Sequence, residues 1–108
     1  MFIKKIFKKI KYTFFEDKRI ALIKLEGIIA DTPVLPVASK ILESIEKVEE
    51  RDIKALILRI NSPGGTVGAS QEIFDRMKNL RNDGVKVVVS MGDVAASGGL
   101  YVAVAADK

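Results

Sequence analysis

The stretch "IKALILRINSPGG", residues 53–65, decides the fold class of this chain. Its first eight residues are almost continuously apolar, which is typical of a strand in a parallel sheet that is covered on both faces. Proline then removes a ladder donor, and the two glycines permit backbone angles that other residues avoid. We therefore expect a buried strand that ends in a tight turn beginning at Asn61.

The segments on either side of this strand continue an alternating pattern. Apolar, β-branched runs predict strands at residues 19–27 and 85–91, and helical spacing of apolar residues predicts helices at residues 37–52, 66–83 and 97–108. Alternation of strands and helices implies right-handed βαβ crossovers and a parallel sheet. The sequence thus predicts an α/β fold.

The composition limits both the size and the chemistry of the protein. A chain of 108 residues with 48% apolar residues can form the core of one domain. The absence of cysteine excludes disulfides and thiolate chemistry, and the absence of histidine excludes a Ser-His-Asp triad within this chain.

The net positive charge of the chain comes from its N-terminal segment. Residues 1–19 contain seven basic and two acidic side chains, whereas the remaining 89 residues contain 11 basic and 12 acidic ones. A nearly neutral body argues against nucleic acid as a partner. We divide the chain into a basic segment, residues 1–18, and a folded body, residues 19–108.

The basic segment has apolar residues at helical spacing from Phe2 to Phe14, with lysines between them. Such a helix can lie in the surface of an anionic membrane, and we expect residues 1–15 to make this contact. A helix that packs on the body or on another subunit, and a disordered basic arm, are the alternatives. The apolar runs are too short to span a bilayer.

Two small-residue turns, at residues 61–65 and 95–99, each follow a predicted strand. The carboxyl ends of parallel strands meet at one edge of a sheet, where ligands bind in open α/β folds. The turns are therefore expected to converge, although a Pro-Gly-Gly sequence is also an ordinary turn.

Ser97 lies in the second turn, flanked by Ala95, Ala96, Gly98 and Gly99. Small neighbours at a strand-to-helix turn are similar to a nucleophile elbow, in which the hydroxyl projects freely and the next amide can donate to an oxyanion. The alternative is that Ser97 caps the following helix, which is a common role of serine.

Together, "LRINSPGGTV" and "VSMGDVAASGGLYVAVAADK" resemble the signal peptide peptidase A family of serine peptidases, and the resemblance extends from about residue 19 to the end. It implies the truncated front part of a Clp protease/crotonase-like spiral of ββα units. It also implies Ser97 as nucleophile, an oxyanion hole from Gly64, Gly65 and Gly98, and a lysine as general base.

The lysine of that family lies downstream, in a region that this sequence does not contain. Lys86 and Lys108 are each expected to lie more than 10 Å from Ser97, by roughly 3.3 Å per strand residue and 1.5 Å per helix residue. We therefore expect the chain to be an inactive fragment when alone.

The resemblance further implies cleavage of signal peptides or other apolar, membrane-derived peptides, without a metal or organic cofactor. A homo-oligomer is expected for the full-length protein, which would be bacterial in type and located in the cytoplasm or on the cytoplasmic membrane face. Two other hypotheses remain. One is a crotonase-like acyl-CoA enzyme, and the other is a non-catalytic module at the membrane surface.

Overall fold

The computed structural model describes residues 13–16, as backbone, and residues 19–108. Within them, the elements in chain order are β1 (Thr13–Glu16), β2 (Ile20–Glu26), α1 (Val37–Glu49), β3 (Ala55–Ser62), α2 (Val67–Asn82), β4 (Lys86–Ala95) and α3 (Gly98–Ala103). This order confirms the predicted α/β alternation. No helix of this part combines the length and apolar character that crossing a bilayer requires.

The described strands form one sheet in the order β1-β2-β3-β4, in which β2, β3 and β4 are parallel and β1 is antiparallel to β2. The sequence predicted a helix that continues to Phe14, but Phe14 lies in β1 instead, because this segment pairs with the open edge of β2. The rest of the predicted basic helix, residues 1–12, lies outside the described residues.

The core lies between the sheet and the two long helices, which contact each other on one face. Alternate residues of the strands point into it, and each large aliphatic side chain contributes about 1.5–3 kcal/mol on full burial. The fully buried apolar residues of the strands are Ala21, Ile23, Leu25, Leu56, Leu58, Ile60 and Val87. The opposite face is less covered than expected, since Ile57 remains 36% exposed.

The C-terminal segment departs from the predicted helix over residues 97–108, because α3 ends at Ala103. The last residues instead return to β4, where the Asp107 amide donates to the Val87 carbonyl at 2.9 Å and the Val89 amide donates to the Lys108 carbonyl at 2.6 Å. These hydrogen bonds compete with those that would extend the helix.

Candidate active site

The carboxyl ends of β3 and β4 are joined directly. Ser62 pairs with Ala95 in the sheet, and the Ala96 amide donates to the Ser62 carbonyl at 3.1 Å. The Val94 amide donates to the Asn61 side-chain oxygen at 3.1 Å. The predicted convergence of the two turns is therefore confirmed.

The Pro-Gly-Gly turn packs against the turn that holds Ser97. A Cβ on Gly64, whose φ is +109°, would lie 2.8 Å from both the Gly98 nitrogen and the Ser97 Cβ. A Cβ on Gly65 would lie only 1.8 Å from the Ile29 carbonyl oxygen, which accepts a hydrogen bond from the Thr66 amide at 2.8 Å. Both glycines are required because other backbone occupies the space of a side chain.

Ser97 occupies a turn position that normally requires glycine. The Gly99 amide donates to the Ala96 carbonyl at 2.9 Å, and Ser97 between them has φ 50° and ψ −118°. These angles match the first central residue of a type II′ turn. Among the described residues, Ser97 is the only non-glycine residue with positive φ. Such strain costs about 1–3 kcal/mol and is typical of functional sites.

The helix-capping interpretation of Ser97 is not realised in the structure. Ser97 directly precedes α3, but its side chain makes no capping hydrogen bond. By contrast, Thr66 caps α2 by accepting a hydrogen bond from the Ala69 amide at 3.3 Å. Ser97 is exposed, so its hydroxyl is accessible to a ligand.

Two backbone amides beside Ser97 have no hydrogen-bond acceptor among the described residues, those of Gly65 and Gly98. A Cβ on Gly98 would lie 3.4 Å from the Gly65 nitrogen, so the two glycines face the same small volume. The Gly64 amide differs, because it donates to the Ser62 hydroxyl at 3.0 Å. The amide of Gly64, the third residue expected in the oxyanion hole, is therefore already paired in this structure.

A cavity of about 440 Å³ opens beside this volume. Tyr101 forms part of its wall and is fixed by stacking on Phe74, with ring centroids 4.5 Å apart, and by a 2.7 Å hydrogen bond that its hydroxyl donates to Gln71. The cavity is lined by Gly65, Val67, Ser70, Gln71, Ser97, Gly98 and Tyr101.

Four of these lining residues were not predicted from the sequence: Val67, Ser70, Gln71 and Tyr101. Ser70 carried a recognisable signal, because it is a polar residue within the buried face of α2. The sequence contains no such signal for Gln71 and Tyr101, because the packing of α2 against α3 brings these two residues together.

The two lysines nearest to Ser97 in sequence do not lie near it. Lys86 pairs with Ala55, seven residues before Ser62 on β3, which corresponds to about 23 Å. Lys108 bonds to Val89, which pairs with Leu58 and so lies about 13 Å along the sheet from its carboxyl end.

Comparisons with known proteins agree with this fold. The family model for Clp protease matches residues 11–108. ClpP1 from Listeria monocytogenes has the same fold, with a TM-score of 0.70 at 20% identity, over 98% of this chain and 52% of that chain.

Named proteases are similar to the chain in sequence. A Synechocystis sp. protein named as a protease is 44% identical over 86 residues, covering 80% of this chain and 29% of that protein. Protease 4 of Haemophilus influenzae is 38% identical, and the match covers 82% of this chain and 15% of that protein. The chloroplastic serine protease SPPA of Arabidopsis thaliana is 39% identical, and the match covers 78% of this chain and 12% of that protein.

The chain thus spans less than a third of the length of these relatives. The match nevertheless covers both turns of the site and the strands that position them. The chain belongs to the Clp protease family, and the sequence relatives that it matches include protease 4 and SPPA.

Proposed function

We propose that this chain carries the nucleophile and the oxyanion hole of a serine peptidase of the Ser-Lys type. The observation that carries the proposal is the strained, exposed Ser97 next to the unpaired amides of Gly65 and Gly98. The similarity to a protein named as a serine protease supports it. Gly64 has a spacing role, because it lets the two turns approach each other.

In the proposed acylation step, Ser97 Oγ attacks the carbonyl carbon of the scissile peptide bond. The carbonyl π electrons move to oxygen, and the amides of Gly65 and Gly98 donate hydrogen bonds to the resulting oxyanion. The hydroxyl proton passes to a neutral lysine amine. Collapse of the intermediate breaks the C–N bond, and the amine product leaves with the proton returned by that lysine.

We propose that the general base is neither of the two lysines discussed above, and that it comes from further sequence of the kind that the longer relatives have or from another subunit. An ammonium ion cannot accept a proton, so the lysine must be desolvated until its pKa approaches neutrality. We expect this pairing, with self-association, in the longer protein.

The cavity favours an apolar substrate residue. Val67 is 85% exposed and Tyr101 is 39% exposed, and both present apolar surface next to Ser97. Signal peptides and other membrane-derived peptides supply such residues, and we propose them as the substrate class.

Labelling with a fluorophosphonate probe tests the nucleophile. The probe would be applied to the 108-residue chain and to a chain extended past Lys108, each with a Ser97→Ala control. We expect labelling of the extended chain alone, and its loss in both Ser97→Ala variants. Labelling that survives in Ser97→Ala would exclude Ser97 as the nucleophile.

A coenzyme A binding assay on the same proteins tests the acyl-CoA alternative. Binding of coenzyme A without a covalent adduct at Ser97 would favour that alternative over the peptidase.

Labelling of the short chain at Ser97 would show that a base is present within these 108 residues or is contributed by a second copy.

A further inference from the structure

Ser70 is the polar residue within the otherwise apolar buried face of α2. The other buried residues of that helix are Ala69, Ile73, Met77 and Leu80, whereas Ser70 places a hydroxyl among them at 3% exposure. Its Oγ has no hydrogen-bond partner among the described residues. Leaving a buried hydroxyl unpaired costs about 1–3 kcal/mol, so such a group calls for an explanation.

The usual way to satisfy a helical serine is not used at this position. Ser44, the buried serine of α1, donates its hydroxyl to the Lys40 carbonyl one turn earlier at 3.0 Å. In α2 the corresponding carbonyl, that of Thr66, accepts the Ser70 backbone amide at 3.1 Å and no other donor from the described part of the chain. The Ser70 hydroxyl is thus available for another acceptor.

The hydroxyl lies beside the proposed oxyanion hole. A Cβ on Gly98 would lie 2.4 Å from Ser70 Oγ and 3.4 Å from the Gly65 nitrogen, so the hydroxyl and this amide lie on the same side of Gly98. Ser70, Gly65, Ser97 and Gly98 all line the same cavity.

The groups around this volume are hydrogen-bond donors. Neither the Gly65 amide nor the Gly98 amide donates to Ser70 Oγ, and the Ser70 hydroxyl has no acceptor among the described residues. Three donors that lack an acceptor and line one cavity favour an oxygen atom that carries negative charge.

We propose that Ser70 is a catalytic residue whose hydroxyl is a third donor to the oxyanion formed during acylation of Ser97. The inference rests on the proposed function. It assigns a role in transition-state stabilisation to a side chain 27 positions before the nucleophile, on a different helix.

The test compares Ser70→Ala, Ser70→Cys and Ser97→Ala in the chain extended past Lys108. Removing one oxyanion donor typically lowers kcat by about 100-fold or more, with little change in KM. We expect that loss in fluorophosphonate labelling rate and in peptide kcat for Ser70→Ala. Ser70→Cys keeps the shape of the side chain with a somewhat larger atom and offers only a weak S–H donor, so it should fold and also label slowly.

The melting temperature separates this role from a structural one. Removing an unpaired buried hydroxyl should leave the melting temperature of Ser70→Ala unchanged or raised. Ser44→Ala is the matched control, because it deletes a paired hydroxyl and should keep the full labelling rate.

Labelling of Ser70→Ala and Ser70→Cys at the wild-type rate would overturn the inference and leave the nucleophile assignment intact. A lowered melting temperature with both rates reduced in proportion to the unfolded fraction would assign a structural role instead, which also overturns it. Failure of the wild-type chain to label, or labelling of Ser97→Ala, would remove the proposed function and this inference together.

Discussion

At the scale of single residues, Ser97 adopts a backbone conformation that glycine would adopt at lower energy. Its φ of 50° and ψ of −118° belong to the glycine position of a type II′ turn. A side chain retained at such a position suggests that the hydroxyl is needed there, because the fold alone would be more stable without it.

We therefore predict that Ser97→Gly raises the free energy of unfolding by about 1 kcal/mol, since it relieves the strain of a positive φ. The same change should abolish fluorophosphonate labelling. Urea unfolding measures the first effect. Ser97→Ala is the control, because it removes the hydroxyl while its Cβ retains the strain, and an equal gain in stability from both variants would contradict the argument.

Gly64 and Gly68 form a second pair that distinguishes a required glycine from a tolerated one. Gly64→Ala should destabilise the fold and abolish labelling, because its Cβ would lie 2.8 Å from two atoms of the Ser97 turn and its φ is +109°. Gly68 lies in the first turn of α2, and a Cβ there would have no atom of the described residues within 4 Å apart from its own neighbours in the chain and the helix. Gly68→Ala should stabilise the helix by up to about 1 kcal/mol, the value for a helix interior.

Thermal unfolding of both variants checks this prediction. A stable, reactive Gly64→Ala would mean that the two turns do not need their close approach.

At the scale of secondary-structure elements, the sequence predicted those parts whose stability is set by local periodicity. The helices α1 and α2 and the strands β2, β3 and β4 all lie where alternation and helical spacing predicted them. The errors are at Phe14, after Ala103, and at the carboxyl ends of β3 and β4, which continue past residues 60 and 91 to Ser62 and Ala95. At each of these places the backbone pairs with a strand distant in sequence. Such pairing depends on tertiary context, which local patterns do not contain.

The C-terminal segment is held to the body by Asp107. Its carboxylate accepts hydrogen bonds from the Val87 amide at 2.9 Å and from Arg81 at 3.1 Å, and Arg81 also donates to the Ala105 carbonyl at 3.2 Å. The Val87 hydrogen bond has the largest effect and lowers the pKa of Asp107 below its ordinary value. Burial opposes it with the next largest effect, and the nearby Arg81 and Lys86 lower the pKa further.

A carboxyl group whose pKa is lower in the folded state stabilises the fold above its unfolded pKa of about 3.9 and loses this contribution as the pH falls through the folded value. Asp107→Asn should therefore lower the free energy of unfolding at pH 7, with the difference from wild type shrinking below about pH 4. Urea unfolding at pH 7 and pH 3 measures it. The matched control is Glu43→Gln, an exposed carboxyl of α1, and a pH-independent deficit in Asp107→Asn would contradict the pKa argument.

At the scale of the whole molecule, topology predicted which parts of the site would meet, and packing determined the rest. Parallel strands bring the turns at residues 61–65 and 95–99 to one sheet edge, so Ser97, Gly65 and Gly98 could be predicted without a structure. Gln71 and Tyr101 could not, because their place at the site follows from how α2 and α3 pack over that edge.

The basic N-terminal segment bears on where the whole protein is located. We propose that residues 1–15 attach the protein to an anionic membrane surface, because five lysines between Lys4 and Lys11 alternate with large apolar residues. Each lysine near such a surface contributes about 1 kcal/mol, and salt screens this attraction. Attachment would hold the cavity beside Ser97 close to the membrane-derived peptides that we propose as substrates.

Co-sedimentation with vesicles tests this proposal. The chain should bind vesicles that contain phosphatidylserine, bind weakly to pure phosphatidylcholine vesicles, and dissociate substantially when salt is raised to about 0.5 M, since screening then acts over a few ångströms. A chain that starts at Thr13 retains β1 but lacks all five lysines and should not bind. Equal binding by the shortened chain would place the membrane contact on the folded body, and binding to neither vesicle would favour a helix that packs on the protein itself.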